Sequence, residues 1–210
     1  MLIDQSVAEF LDTTASSSPA PGGGSVSALT GALGAALTSM VCRLTIGKKK
    51  YALVEPAMQE TLTRAEEIRN RCCSLIDEDT AAFNAVMIAF GMPKETDEQK
   101  SARTNAIHAA TRQATLVPLE LMRALGRTLP LVELAAAQGN ANSRSDAGVA
   151  ALMIGAAARG AALNVYINLA GLPEDSFRGD VRKEAEELES KVSVASGQIC
   201  ESVRASLLPT

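Results

Sequence analysis

Asp79 is where the sequence departs most plainly from ordinary packing. From Pro56 to Phe90, apolar residues recur at steps of three and four (Ala65, Ile68, Cys72, Leu75, then Phe83, Val86 and Phe90), and Asp79 stands in the same register. That spacing predicts one face of a long helix, stopped by Gly91 and Pro93. A carboxylate on a core-facing stripe must be paired, hydrogen-bonded or kept neutral, because burying an isolated charge is costly. Two readings stay open: a structural hydrogen bond, or acid–base chemistry at a raised pKa. The neighbours Asp77 and Glu78 turn off the stripe and read as solvated charges.

A second carboxylate, Asp146, follows the polar run Asn140, Asn142, Ser143, Ser145. It falls in the first turn of an apolar helix that Asn142 or Ser145 would cap, where a negative charge suits the helix dipole. The third chemical signal is Pro21-Gly22-Gly23-Gly24-Ser25, which opens another apolar helix with Ser25 as its expected N-cap. Glycines at a helix start let backbone N–H groups approach a ligand, and the dipole favours an anion there. The run lacks the lysine of a phosphate-binding P-loop and the preceding strand of a dinucleotide fold. If the two loops meet, their N–H groups with Ser25, Asn140, Asn142 and Asp146 would border a pocket walled by Asp79. Lys48, Lys49 and Lys50 close the first apolar helix and read either as a solvated cluster or as a site for anionic substrate groups. The lone His108, between Thr104, Thr111 and Arg112, reads as partly exposed.

The elements that must hold these residues are all helical. Residues 4–14 form a short amphipathic helix with Val7, Phe10 and Leu11 on one side. The next helix runs from Ser25 to near Gly47 and carries two small-residue rows, Gly24, Ala28, Ala32, Ala36 and Ser27, Gly31, Ala35, Ser39, which invite close packing. A polar loop around Pro93 precedes a helix over 97–126 that Pro118 kinks or interrupts, and Pro130 starts a shorter one ending at Gly139. The apolar helix after Asp146 is expected to bury Val149, Met153, Ala156, Gly160, Leu163 and Ile167, while Asn164 and Asn168 stack one turn apart. A charged helix over 174–207 covers the bundle. There is no convincing strand, internal repeat or domain boundary. The expectation is one all-α domain over 1–210, an up-and-down bundle of long helices.

Composition narrows the partners. Of 210 residues, 47% are hydrophobic but only 3% aromatic, so the core is filled by many small contacts, as in close-packed helices. A net charge of −4 provides no basic field for nucleic acid. Cys42, Cys72, Cys73 and Cys200 have neither zinc-site spacing nor a secreted framework, and the acidic N-terminal stretch has no signal-peptide pattern. A cytoplasmic protein is expected. The uncharged run before Arg43 is broken by Ser27, Thr30, Gly31, Gly34, Thr38 and Ser39, and no second span of comparable length is expected, which argues against a membrane.

The blocks PAPGGGSVSALTGALGAAL, LTIGKKKY, DTAAFNAV, GNANSRSDAGVAAL and NVYINL, in this order, resemble the cyclodeaminase/cyclohydrolase family over most of the chain. The resemblance implies an all-helical homodimer acting on one-carbon adducts of tetrahydrofolate, with no metal and no cofactor beyond the folate substrate. The implied reaction is hydrolysis of 5,10-methenyltetrahydrofolate to the 10-formyl form. The alternatives are formiminotetrahydrofolate cyclodeamination and a non-catalytic helical folate-binding or scaffold protein. Asp79 would be the first catalytic carboxylate and Asp146 the second. Pro21 to Ser25 and Lys48 to Tyr51 would surround the folate, with Asn140, Asn142 and Ser145 opposite. Lys49 or Lys50 would hold the glutamate tail, and Tyr51 and Phe83 would contact its rings.

Overall fold

The computed structural model describes residues 1–208. Six α-helices follow one another: α1 Val7–Ala15, α2 Gly23–Thr45, α3 Glu55–Phe90, α4 Asp97–Gln138, α5 Arg144–Ala170 and α6 Ser176–Leu207, with short 3-10 turns at Leu2–Asp4, Lys49–Tyr51 and Ala141–Ser143. The starts follow local chemistry. Ser6 with Glu9 and Thr96 with Gln99 form capping boxes, and the Asp175 side chain accepts from the Arg178 amide. α2 begins differently from the expectation: Gly22 is its N-cap, and Ser25 is already inside the helix and buried.

α2 and α5 lie side by side and antiparallel in one layer, over α3, α4 and α6 in the other. The small-residue rows of α2 do what their spacing implies. Gly31 packs against Leu125 of α4, where a Cβ would come within 2.8 Å of its side chain, and Gly34 packs as closely on Ile154 of α5. The main core joins Ala28, Ala32, Ala35, Cys72, Leu75, Met122, Leu125, Ile154 and Val165.

Four local expectations are corrected. α4 is one helix of 42 residues, and both Pro118 and Pro130 lie inside it. Pro118 has no N–H for the carbonyl of Ala114, four residues earlier; that oxygen is instead met by Asn168 Nδ2 of α5 at 3.1 Å. Tertiary packing supplies the bond that the local chain lacks. On α1 only Phe10 is buried, while Val7 and Leu11 are exposed. On α5 the expected stripe faces outward: Val149, Leu163 and Ile167 are exposed, and the buried faces are built of Ala147, Ala150, Ala151, Ile154, Ala157, Ala158, Ala161, Ala162 and Val165. α5 is enclosed by α2, α4 and α6, and neighbours on three sides leave room mainly for alanine. Finally, a second long apolar helix does follow the first: Gly23–Thr45 and Ala141–Ala170 are both long and apolar enough to cross a membrane, and more than half of each is buried in the fold.

Two features frame the functional residues. The end of α3 and the start of α4 project beyond the start of α2 as a hairpin arm; from Asp79 to Phe90, eleven residues further along the helix, the arm reaches about 16 Å. Arg103 clasps this arm by donating to the Phe90 carbonyl at 3.0 and 3.2 Å. Val26, Leu33 and Leu44 of α2 and Val149, Leu152, Leu163 and Ile167 of the adjacent α5 are exposed and make up an apolar α2–α5 seam, whose Val26 and Leu33 also line a groove beside α1.

Candidate active site

At the α2 start, Ala20–Pro21 is a cis peptide and Pro21 is buried. The chain then enters α2 against α3, and Gly24 rests directly on the Asp79 carboxyl: a Cβ there would lie 2.5 Å from Asp79 Cγ and 2.7 Å from Oδ2. One residue on, Ser25 Oγ lies 2.9 Å from Asp79 Oδ2, 3.0 Å from the Ile76 carbonyl and 3.3 Å from Thr80 Oγ1. Asp79 is thus partly buried, touched by a serine hydroxyl and open toward a helix start. Burial pushes its pKa above the ordinary carboxylate value, against the lowering effect of the Ser25 hydroxyl and amide.

This arrangement suits proton transfer in both directions. Ser25 Oγ carries one proton and has two strong acceptors within reach. It donates to an ionised Asp79; when Asp79 is protonated, it donates to Ile76 and accepts from the acid. Neither state leaves a buried group unpaired. No cation pairs with Asp79 among the described residues, and Arg71 of the same helix is bound to Glu78.

The second cluster of expected residues stands at the other end. Tyr51, at the end of the lysine turn, accepts from the Ala141 amide at 3.0 Å, a bond that holds its hydroxyl below the usual phenol range. Asn140 is buried and fully committed to the chain: Nδ2 donates to the Leu44 carbonyl at 3.0 Å, Oδ1 accepts from the Asn142 amide at 3.1 Å, and its own amide donates to Thr45. Ser143, rather than Asn142 or Ser145, is the N-cap position of α5, and Asp146 is half-buried in its first turn. Lys48, Lys49, Lys50, Asn142 and Ser145 are exposed.

The two loops therefore do not meet within one chain. Gly22–Ser25 and Asp79 mark one end of α2, Tyr51 and Asn140–Asp146 the other, and a helix of 23 residues spans about 33 Å. Phe83 belongs with the first group, one helical turn beyond Asp79 on the projecting arm. His108 is half-buried on the same arm. Burial raises Cys42 to about 11 and Cys72 to about 12, so both behave as inert core thiols. Sequence reasoning missed the role of Ser25 as partner to Asp79. The signal was available only as a conflict, a serine assigned to a cap but followed by no acidic or amide residue at the capping-box position.

The class of molecule is an all-helical bundle that holds a partly buried carboxyl, hydrogen-bonded to a buried serine, at a glycine-rich helix start. The family model described as formiminotransferase-cyclodeaminase matches residues 6–187, and the chain belongs to that family. It is 46% identical over 201 residues to methenyltetrahydrofolate cyclohydrolase of Methylorubrum extorquens, covering 96% of this chain and 97% of the relative. It is 36% identical over 196 residues to formimidoyltransferase-cyclodeaminase of Sus scrofa, where the match covers 92% of this chain but 36% of the relative. The crystal structure of formiminotetrahydrofolate cyclodeaminase from Thermotoga maritima superposes with a TM-score of 0.89 at 30% identity, covering 99% of this chain and 100% of that one.

Proposed function

We propose that this protein is an enzyme of one-carbon tetrahydrofolate chemistry that hydrolyses 5,10-methenyltetrahydrofolate to 10-formyltetrahydrofolate, with Asp79 as its acid–base residue. The observation that carries the reading is the Asp79–Ser25 pair under Gly24, in a chain matched end to end by a cyclohydrolase. The methenyl carbon between N5 and N10 is cationic and electrophilic, so water adds without a cofactor. Asp79 takes a proton from that water as its oxygen bonds to the carbon. The resulting carbinol then loses its hydroxyl proton to solvent while the C–N5 bond breaks, and Asp79 returns the first proton to N5. A negative carboxylate beside the cation also stabilises the bound substrate. The likeness to a cyclodeaminase structure supports a second reading on the same residues. There, N10 closes on the formimino carbon and gives up its proton to Asp79, which passes a proton to the amino group of the intermediate so that ammonia leaves as its C–N bond breaks.

The protein acts as a homodimer in this proposal. Its exposed α2–α5 seam supplies the apolar face, and the two halves of the site stand at opposite ends of that seam. A two-fold axis crossing the helices brings Asp79 and Gly22–Ser25 of one protomer to the partner's opposite end, the one that carries the lysine turn and the α5 start. Lys49 or Lys50 would then meet the glutamate tail, and Asp146 would face the pocket from across the interface. The long apolar helices serve as dimer core rather than membrane spans, the net negative charge gives nucleic acid no purchase, and four free cysteines suit the cytoplasm.

Loss of methenyl absorbance with wild type and Asp79→Asn tests the chemistry; equal rates would remove Asp79 from it. Mixing inactive Asp79→Asn with an inactive Asp146→Asn protein tests the shared site. Random pairing restores about one quarter of wild-type activity if each site takes one residue from each protomer, and none if both come from the same chain.

A further inference from the structure

Asn164 and Asn168 stand one turn apart on α5, and the fold uses only one of them. Asn168 fills the gap that Pro118 leaves in α4. Asn164 ties nothing to another helix: Nδ2 donates to the Gly160 carbonyl of its own helix at 2.8 Å, and Oδ1 accepts no hydrogen bond among the described residues. Asparagine inside a helix is disfavoured relative to alanine or leucine, and here no packing role offsets that cost.

Its position supplies a reason. A Cβ on Gly23 would lie 3.3 Å from Asn164 Nδ2 and 3.8 Å from Oδ1, while the next glycine rests on Asp79. Consecutive Cα atoms are about 3.8 Å apart, so Asn164 from α5 and Asp79 from α3 flank the same helix start. The N–H groups of Gly23 and Gly24 there have no partner within the helix. The corner thus holds a proton-transfer group on one side and a carboxamide on the other.

With one N–H engaged by Gly160, the carboxamide keeps one N–H and its oxygen, a donor beside an acceptor. That pair is complementary to a lactam edge, an N–H next to a C=O. A reduced pterin presents such an edge at N3 and C4, and its C4 carbonyl lies beside N5, the atom that carries the one-carbon bridge. A residue that holds the lactam therefore fixes the offset between the bridging carbon and the Asp79 carboxyl.

We propose that Asn164 is a substrate-binding residue that reads the lactam edge of the pterin and sets the bridging carbon against Asp79. This rests on the folate reading above. The test measures tetrahydrofolate Kd by calorimetry, kcat and KM on methenyltetrahydrofolate, and melting temperature, for wild type, Asn164→Ala, Asn164→Asp and Asp79→Asn. Loss of two neutral hydrogen bonds in Asn164→Ala raises Kd and KM about 10-fold, with melting unchanged or higher because alanine favours the helix. Asn164→Asp, which removes the donor and sets a charge against the C4 carbonyl, is weaker still, whereas Asp79→Asn keeps Kd and loses kcat. Kd and KM within twofold of wild type in Asn164→Ala would overturn the assignment while leaving the folate reading standing. Absence of tetrahydrofolate binding by the wild-type protein would overturn both.

Discussion

Gly24→Ala probes the site with a single methyl group. The new Cβ would sit 2.5 Å from Asp79 Cγ, against ordinary contact of at least 3.4 Å, so the carboxyl must retreat by about 1 Å. The backbone cannot yield instead, because Gly24 is buried and Ser25 anchors the same turn to the Ile76 carbonyl. Misplacement of a reacting group by 1 Å costs about 100-fold in rate. Stability should barely move. Alanine gains about 1 kcal/mol over glycine in a helix, and weakening the Ser25–Asp79 bond loses about as much. The assay is decay of methenyl absorbance beside a thermal melt, with Gly179→Ala of α6 as control, since a Cβ there meets nothing within 4 Å. In an Asp79→Asn background the Gly24→Ala change should add less than threefold, because its target is already gone. A Gly24→Ala protein with kcat/KM within threefold of wild type, or one whose loss adds in full to that of Asp79→Asn, would refute the reasoning.

The raised pKa of Asp79 makes further predictions. As a general base it must be ionised, so kcat/KM falls on the acid side at a pH above the ordinary carboxylate range. Ser25→Ala, by removing hydrogen bonding to the ionised form, moves that limb to still higher pH in a pH–rate profile. For stability the sign is the reverse of a salt-bridged carboxylate. Below the unfolded pKa the group is neutral in both states and costs nothing; as pH rises through the folded pKa the native state loses stability. Asp79→Asn should therefore melt at or above wild type at pH 7, with the advantage gone near pH 4, even as activity is lost. On the seam, Leu33→Glu places a charge on an exposed leucine of α2; sedimentation should show a monomer with activity reduced at least 10-fold, and an active dimer would argue against this interface.

Apart from α4, which reads as two helices in the sequence, the helices, their order and the place of Asp79 on a packed face were legible because each rests on short-range chemistry. Apolar spacing gave the buried α3 stripe from Ala65 to Leu75 and Asp79 as its exception, while beyond it Phe83 and Val86 are only half-buried and Phe90 is exposed on the arm; glycine and proline marked the start of α2. Small-residue rows announced close packing because four-residue spacing stacks on one face whatever lies opposite. Tertiary structure decided what depends on neighbours distant in sequence. It made Pro118 tolerable by supplying Asn168 to the stranded carbonyl, and it turned Val149, Leu152, Leu163 and Ile167 of α5 outward because three surrounding helices left room mainly for alanine, with Ile154 and Val165 among the larger side chains kept inside. It took Ser25 from a presumed cap and gave it to Asp79. It also set the glycine loop and the Asn140–Asp146 loop at opposite ends of one helix. Their residue types resemble halves of one site, but a sequence carries no distance between its loops, and the length of α2 keeps them apart within a single chain.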